Sequence, residues 1–387
     1  MTDQPPAEAH RIGSHRRRLL ALSVYPDTFA ATRFRVSAYR AALDAADIDL
    51  EVSPFLDAQT LREVQGARPT PRALVRMMRA LVARATLAGR RRRFDAVFVQ
   101  REATMVGPPW LELVLAKLGV PFVYDIDDAL WLTPAPAAGS LRARFPRLGN
   151  FVRAPQKGPR LLAVADEVIC GSERLAAYAA ALNAHVTVIP TVTDLASWKP
   201  LASRSLGAFA NRVPVVGWIG TPSTAPALRM VEPALLRLRE EGYDFVVRVR
   251  GAGAAPFERL VHENLPWRAT EEISDFAEID VGLAPMEDSE WSSGKCAFKQ
   301  IQYMAVGVPH VSSLAGAAAE VLVDGENALV ARSSEDWYRM IKLLLDDPAT
   351  RRKLTAGGLR SAEARYSLQA QAPHFVQVIE RAMGHRS

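Results

Sequence analysis

Short apolar runs alternate with amphipathic stretches along this 387-residue chain. The opening shows the alternation well, because it predicts a strand at residues 19–24, a helix at 33–46 and a second strand at 48–52. Such a strand–helix–strand unit pairs its two strands in parallel and covers one face of the sheet with the helix. The pattern therefore predicts an α/β protein whose ligands lie beyond the carboxyl ends of parallel strands.

The same alternation continues to the end of the chain, which is too long for one ordinary core and suits two domains. Further strands are predicted at residues 95–100, 121–124, 167–170, 186–189, 213–219, 245–250, 279–284 and 308–313. We expect a disordered N-terminus at 1–17, a first domain at 18–195 completed by a final helix at 368–387, and a second domain at 205–367.

The composition favours anionic partners, because the formal net charge is +6 and the pI is about 9.5. Sugar nucleotides, lipid phosphates, an anionic membrane surface and nucleic acid all fit, although an Arg-rich genome would give the same excess. No aromatic-plus-basic binding motif is present, so we expect no nucleic acid partner. No apolar run is long enough to span a membrane, and the N-terminus lacks the apolar region of a signal peptide. Cys170 and Cys296 lie in unrelated segments, which predicts neither a disulfide nor a cysteine metal site and fits the cytoplasm.

Residues 71–93 are predicted to form a basic helix. Leu74, Met77, Met78, Leu81 and Val82 lie among its many arginines. Such a helix can lie on an anionic membrane, or it can pack its apolar face on its own sheet and leave the arginines in water. Packing is favoured for the apolar face, and the Arg run at residues 90–93 could still contact lipid headgroups.

Residues 287–309, which read EDSEWSSGKCAFKQIQYMAVGVP, predict an anion site. Apolar residues between 298 and 305 recur at spacings of three and four, as on the buried face of a helix. Lys295 and Lys299 are four apart, so both would lie on one face near the helix start. Two cations beside unpaired backbone N–H groups suit a diphosphate. An ordinary amphipathic helix with solvated lysines is the alternative.

A second chemical cluster, Asp125-Ile126-Asp127-Asp128, follows the strand predicted at 121–124. Three carboxylates at a strand end repel one another unless one binds a proton, a metal or a basic side chain. Arg101 and the arginines of the first loop are candidate partners. Asp127 could act as a base for an acceptor hydroxyl, the Asp-x-Asp could bind a metal, or the side chains could cap the next turn.

These motifs resemble retaining glycosyltransferases of the GT-B fold, in the group 1 or family 4-like set. Residues 302–309, QYMAVGVP, stand where that family has Glu-Ala-Met-Ala-x-Gly-x-Pro, and residues 95–131, 164–194 and 280–346 carry the strongest resemblance. The chain departs from the pattern in three places. Gln302 replaces a glutamate, so it can bond a ribose hydroxyl but carries no charge; Gly294, eight residues earlier, has no carboxylate; and the usual Arg and Lys do not follow the strand predicted at 213–219.

The resemblance implies two Rossmann-like domains that face each other across a cleft. The N-terminal half would take the acceptor and the C-terminal half a nucleoside diphosphate sugar. A hexose-type sugar would pass, with retention at the anomeric carbon, to a hydroxyl of a polysaccharide, a lipid-linked molecule or a secondary metabolite. No metal or other cofactor is expected, which ranks the metal interpretation of Asp125–Asp128 lowest, and the enzyme could work at the inner face of the membrane.

The resemblance also implies site roles. Lys295 and Lys299 would neutralise the leaving diphosphate, and Gln302 or Glu320 would hold the ribose. The remaining donor-side candidates are Gly220, Thr221 and Arg250, and Glu290 or Asp288 would contact the donor sugar. Asp125, Asp127 and Glu102 would line the reacting face, and the acceptor-side candidates are Arg33, Arg35 and Arg101.

Two other classes of function remain open. A UDP-sugar epimerase of the same fold would need acid and base groups in the cleft, and none of the seven histidines lies in a clear cleft motif. A non-catalytic, nucleotide-binding or regulatory protein would explain Gln302 and the missing Arg and Lys.

Overall fold

A computed structural model describes residues 16–65, 70–129, 131–132, 154, 156–199 and 212–384. Within these residues the strands form two six-stranded sheets, and every neighbouring pair of strands is parallel. The prediction of a two-sheet α/β fold is therefore confirmed. The disorder expected over residues 1–17 is wrong for Arg17, which begins the first strand. Residues 1–15 and most of the segment between the two predicted domains fall outside the described residues.

The first sheet has the strand order β2-β1-β3-β4-β5-β6. The chain leaves β1 toward one edge of the sheet and β3 toward the other, so the strand order reverses between β1 and β3. Its strands are β1 Arg17–Ser23, β2 Ile48–Pro54, β3 Ala96–Gln100, β4 Phe122–Ile126, β5 Glu167–Cys170 and β6 Val186–Val188. The central strands β3, β4 and β5 are buried along their whole length. Continuous apolar runs are expected where helices cover both faces of a parallel sheet.

The second sheet repeats this arrangement, with the order β12-β11-β10-β7-β8-β9. Its strands are β7 Val215–Ile219, β8 Val246–Arg250, β9 Glu263–Leu265, β10 Val281–Ala284, β11 His310–Ser312 and β12 Leu329–Val330. β7 and β10 lie at the centre and are fully buried. The two sheets are the cores of two domains that follow one another along the chain.

Helices cover both sheets. They are α1 Ala30–Arg35, α2 Arg40–Ala45, α3 Ala58–Gln65, α4 Pro71–Leu87, α5 Trp110–Lys117, α6 Lys157–Val164, α7 Glu173–Ala180, α8 Leu195–Trp198, α9 Glu232–Glu240, α10 Glu272–Ala277, α11 Glu290–Ser293, α12 Phe298–Ala305, α13 Ala318–Val321, α14 Ser334–Asp346, α15 Pro348–Ser361 and α16 Leu368–Gly384. Tighter 3-10 turns span Ser37–Tyr39, Ala88–Arg93 and Ala225–Met230. The helix predicted at 71–93 thus ends at Leu87 and continues as a 3-10 turn.

The last helix, α16, packs on the first sheet rather than on the second. Phe375 of α16 stacks on Tyr39 with ring centroids 3.9 Å apart. The chain crosses between the domains twice, and the two crossings are bonded to each other. The Thr193 N–H donates to Tyr366 O at 3.0 Å, and the Leu368 N–H donates to Thr193 O at 2.9 Å.

One predicted helix is wrong in a way that matters for the site. Lys295 does not lie inside a helix with Lys299, because α11 ends at Ser293 and α12 begins at Phe298. Between them Ala297 has a left-handed backbone, with φ of 52°. The break lets residues 294–297 contact the first domain: a Cβ added to Gly294 would lie 2.2 Å from the Cβ of Ala129. Only a residue without a side chain allows this approach.

Candidate active site

A cavity of about 490 Å³ lies between the two domains, at the carboxyl ends of both sheets. Arg101 directly follows β3, Asp127 follows β4, Gly220 follows β7 and Gly251 follows β8, and all four line it. Ligands of open α/β sheets bind at this edge, outside the carboxyl ends of the strands. The cavity is therefore the candidate active site.

Part of the second-domain wall of the cavity is formed by the backbone of two glycine-containing turns, one after β7 and one after β8. Gly220 packs so closely on the Trp218 ring that an added Cβ would lie 2.3 Å from it. Gly251 has φ of 81°, and its added Cβ would lie 2.2 Å from Gly220 O. Two glycines are thus required for the turns after β7 and β8 to approach each other. The result is a surface of backbone beside Thr221 that a diphosphate could approach closely.

Lys299 provides an uncompensated positive charge in this wall. Its ammonium nitrogen lies 4.3 Å from the centroid of the Trp218 ring, and no carboxylate among the described residues pairs with it. Burial lowers the pKa of Lys299 to about 7, because the charged form loses its hydration. An anion bound here would stabilise the charged form of this partly buried lysine.

Lys295 lines the same cavity but is already paired. Its Nζ lies 2.7 Å from Asp128 of the first domain and 4.1 Å from the centroid of the Trp291 ring. The spacing argument that put both lysines on one helix face fails, yet both reach the cavity: Lys295 from the loop before α12 and Lys299 from the first turn of α12.

The first-domain wall presents an ion pair between Arg101 and Asp127. The Arg101 Nη2 donates to Asp127 Oδ2 at 2.9 Å, and the guanidinium also lies 3.7 Å from Asp128. Burial opposes ionisation of Asp127, but Arg101 outweighs it, so the pKa of that carboxyl is lowered. Arg101 holds a left-handed backbone, with φ of 63°, a strained conformation that is common at functional sites.

Asp125 and Arg35, predicted as catalytic and acceptor-binding residues, do not line the cavity. They are buried and form a two-bond ion pair with each other, and Arg35 Nη1 also donates to Ile189 O at 2.6 Å. The pair ties α1 to β4 and to the end of β6. The structure therefore assigns both residues to the framework behind the site.

Four other predicted site residues also lie outside the cavity lining. Glu102 pairs with Lys157 at 2.8 Å, and Arg250 pairs with Asp275 at 3.0 Å. Glu290 is exposed in the first turn of α11. Glu320 accepts bonds from the N–H groups of Glu173 and Arg174, at 2.9 and 3.1 Å.

The contact of Glu320 joins the two domains rather than facing the cavity. The glutamate comes from α13 of the second domain, and the two N–H groups open α7 of the first. A carboxylate at a helix N-terminus satisfies unpaired donors and interacts favourably with the helix dipole.

Sequence reasoning missed Glu272, an acid that lines the cavity at the start of α10. Gln302 Nε2 donates to Glu272 Oε1 at 3.1 Å, and Arg33 of the first domain pairs with Glu272 Oε2. Burial raises the pKa of Glu272 although Arg33 opposes the shift. The signal available in the sequence was weak: an acid at the start of a short helix before the strand predicted at 279–284. Arg33, predicted to contact an acceptor, instead bridges the domains.

The two cysteines, distant in sequence, belong to one hydrophobic cluster of the first domain. Cys296 reaches it from the second domain, and its thiol donates to Asp127 O at 2.8 Å. Both cysteines are free and buried.

Metal and membrane features were searched in the described ranges only. No group of three His, Cys, Asp or Glu side chains is arranged there to hold a metal ion. No helix in those ranges is both long and apolar enough to cross a bilayer.

Residues 213–347, which contain the second sheet, match the family model "Glycosyl transferases group 1". Among curated proteins, the chain is 27% identical over 327 residues to MMP alpha-(1->4)-mannosyltransferase of Mycolicibacterium hassiacum, a match that covers 79% of this chain and 74% of that one. It is 27% identical over 188 residues to D-inositol 3-phosphate glycosyltransferase of Arthrobacter sp., which covers 43% of each chain.

Solved structures show the same two-domain fold across nearly the whole chain. Sucrose-phosphate synthase of Thermosynechococcus elongatus superposes with a TM-score of 0.62 at 14% identity, covering 96% of this chain and 100% of that one. HepE of Anabaena, in complex with UDP-glucose, gives 0.63 at 16% identity over 95% and 100%. The chain therefore has the GT-B fold, and its residues 213–347 are similar to the group 1 glycosyl transferases.

Proposed function

We propose that the protein transfers a hexose-type sugar from a nucleoside diphosphate donor to a hydroxyl acceptor, with retention of the anomeric configuration. One observation carries the proposal: Lys299, which is partly buried and has no carboxylate partner among the described residues, lies at the cavity beside the bare backbone of Gly220 and Thr221. A partly buried cation without an ionic partner is costly unless a ligand supplies the opposite charge. The UDP-glucose complex of the HepE fold relative and the resemblance of residues 280–346 to retaining enzymes support the donor class and the stereochemistry.

The donor diphosphate would lie between Lys299 and the Gly220 turn, with Lys295 near its leaving oxygen. These groups stabilise charge as the glycosidic bond breaks, and they need no metal ion. Lys295 would have to loosen its contact with Asp128, so donor binding would exchange one ion pair for another.

The donor ribose would be held by Glu272 and Gln302 together. The family resemblance puts a glutamate where this chain has Gln302, and Glu272 accepts a bond from the Gln302 amide. The carboxylate is thus supplied from α10 instead of α12, at a point in the cavity that the two side chains share.

Asp127 would face the reacting sugar from the first-domain wall. Arg101 keeps it ionised, so its negative charge is available where positive charge develops at the anomeric carbon. The acceptor would enter on the same side, next to Arg101.

The experiment is a donor panel with two readouts. Melting temperature would be measured with UDP, GDP, ADP and dTDP and with their hexose forms, with and without a chelator, because a ligand that binds only the folded state raises it. The stabilising donor would then be incubated with hydroxyl acceptors, and the anomeric configuration of the product read by NMR.

Stabilisation by one diphosphate and an α-product from an α-donor support the proposal. A product with inverted anomeric configuration would contradict retention but not sugar transfer from the nucleoside diphosphate donor. Nucleotide binding without turnover over a broad acceptor panel favours the non-catalytic alternative, and an epimerised sugar nucleotide released without acceptor favours an epimerase.

A further inference from the structure

The helix α4 leaves an apolar stripe uncovered by the described residues. Leu74, Val75, Met78 and Val82 are 43, 53, 57 and 64% exposed. Their spacing of one, four and eight residues places them on one side of the helix. We call these four residues the outer stripe. The sequence-based expectation that the apolar face packs inward is thus met only by Met77 and Leu81, which pack against a small cluster that contains Phe55.

The opposite side of α4 is firmly attached to the first domain. Arg84 is buried, and its guanidinium donates to Ser23 O at 3.1 Å, to Ser53 O at 2.6 Å and to Ala103 O at 2.9 Å. Ser23 ends β1, Ser53 lies near the end of β2, and Ala103 follows β3. The bonds hold α4 at the carboxyl edge of the sheet, so the outer stripe is a rigid surface.

Positive charge lies along one side of the outer stripe and just after the end of α4. Arg72 and Arg79 are seven residues apart, so they lie along one side of it, and Arg91, Arg92 and Arg93 follow in the 3-10 turn. Within the described ranges no carboxylate pairs with these five arginines, whereas Arg76 pairs with Glu63.

We propose that the outer stripe and its arginines dock the protein on an anionic lipid bilayer. The aliphatic side chains would enter the headgroup boundary while the guanidinium groups bind lipid phosphates. Nucleic acid fits less well, because its backbone would leave four aliphatic side chains in water and no aromatic residue lies on the stripe. A second copy fits less well too, because a two-fold interface would bring the two sets of arginines together.

Docking in this way would place the cavity mouth beside the lipid. Phe29 lines the cavity and also packs against the cluster under α4. The cluster under α4 and the helix itself thus lie between the cavity and the outer stripe. If the proposed transferase function holds, an acceptor with a lipid anchor could reach the site from the bilayer; the docking itself does not depend on that function.

The experiment is co-sedimentation of the full chain with phosphatidylcholine vesicles, with and without phosphatidylglycerol, at low and high salt. Three double variants are compared: Met78→Ser with Val82→Ser, Arg72→Gln with Arg79→Gln, and the control Arg352→Gln with Lys353→Gln. Val261, in the second domain, is 86% exposed, so Val261→Ser controls for the loss of an exposed apolar side chain outside the outer stripe. All changes are at exposed side chains, and thermal unfolding checks that each variant folds.

We expect binding only to phosphatidylglycerol vesicles, weakened by salt. Each arginine removed should weaken binding about fivefold, so the arginine variant should bind about 25-fold more weakly. The serine variant should lose at least about tenfold, and both controls should bind like the wild type. Absence of vesicle binding, binding without dependence on anionic lipid, or equal loss in the controls overturns the proposal. Stripe-dependent dimerisation without lipid, or RNA binding lost in the arginine variant alone, overturns it in favour of those partners.

Discussion

Lys299 is the residue on which the proposed donor site depends, because it brings a positive charge to the cavity and no carboxylate in the described part of the chain pairs with it. Replacing it by Met keeps most of the apolar stem over Trp218 and removes the charge. A hydrogen bond to a charged group contributes about 1.5–3 kcal/mol, so the affinity for the sugar nucleotide should fall roughly 10- to 100-fold. Isothermal calorimetry measures this change. Lys353→Met, on the exposed surface of α15, is the matched control, and equal affinity in the two variants would remove Lys299 from the site.

The pH dependence of donor binding should report the same group. In the free protein the pKa of Lys299 is about 7, and a bound diphosphate raises it. Below pH 7 the lysine is already charged, so affinity is highest there; above pH 7 binding must take up a proton, and affinity falls as pH rises. The diphosphate of a sugar nucleotide does not titrate in this range, so calorimetry between about pH 6 and about pH 9 isolates the lysine. In Lys299→Met the slope should vanish, and a slope that persists would point to another group.

Glu272 and Gln302 offer a test by exchange of side chains. Glu272→Gln removes the only carboxylate of this pair and should weaken donor binding about tenfold. The double variant Glu272→Gln, Gln302→Glu returns a carboxylate to the shared position and should recover part of the loss, as measured by donor affinity. A double variant that binds no better than Glu272→Gln would show that the carboxylate must come from α10.

For single residues of the site, the sequence predicts which residue types are present better than it predicts which side chains they contact. Asp125 and Asp127 are two apart and equally acidic, yet Asp125 still belongs to β4 and meets buried Arg35, whereas Asp127 follows the strand and reaches the cavity. The contacts that decide between them come from α1 and from the loop after β3, and local spacing cannot show these long-range contacts. Glu272 was missed for the same reason, since its partners lie 30 and 239 residues away.

Among the elements, the central parallel strands were the most predictable because they are short, apolar and buried, whereas the edge strands β9 and β12 were not predicted. The loop that carries Lys295 was not predictable, because the approach of Gly294 to Ala129 of the other domain interrupts a helical pattern that is locally sound. Helix α4 was found at the right place, but its exposed stripe could not be told from a buried one, since both are apolar.

The turns after β7 and β8 form the element on which the donor wall depends. Gly251→Ala places a Cβ against Gly220 O in a left-handed backbone, and strain of this kind costs about 1–3 kcal/mol. Chemical denaturation should show this loss, and donor affinity should fall because the two turns move apart. Gly242 has a similar φ of 89° but no neighbour within 4 Å, so Gly242→Ala is the control for left-handed backbone strain without a packing clash. If both variants lose the same stability, close packing of the turns is not the cause.

For the whole molecule, polar contacts around the cavity, including that of Glu320, add to the apolar contacts that join the two domains. Glu320→Gln weakens the contact with the start of α7 and should favour a more open arrangement. Because surface contacts of this type contribute about 1 kcal/mol or less, the melting temperature should hardly change, whereas the radius of gyration from small-angle X-ray scattering should rise. Glu326→Gln, in a turn of the second domain, is the control, and an unchanged radius in both would show that Glu320 does not set the domain arrangement.

The return of α16 to the first sheet also affects the order in which the protein can fold during synthesis. Domains usually fold as they leave the ribosome, the N-terminal one first. Here Phe375, Val378 and Ile379 complete the face of the first sheet that also contains Leu19 and Phe98, and they are made only after the entire second domain. The first domain must therefore wait, with part of an apolar face uncovered, until the second has been translated. A nascent chain stalled before residue 368 should bind chaperones more strongly than one released with α16.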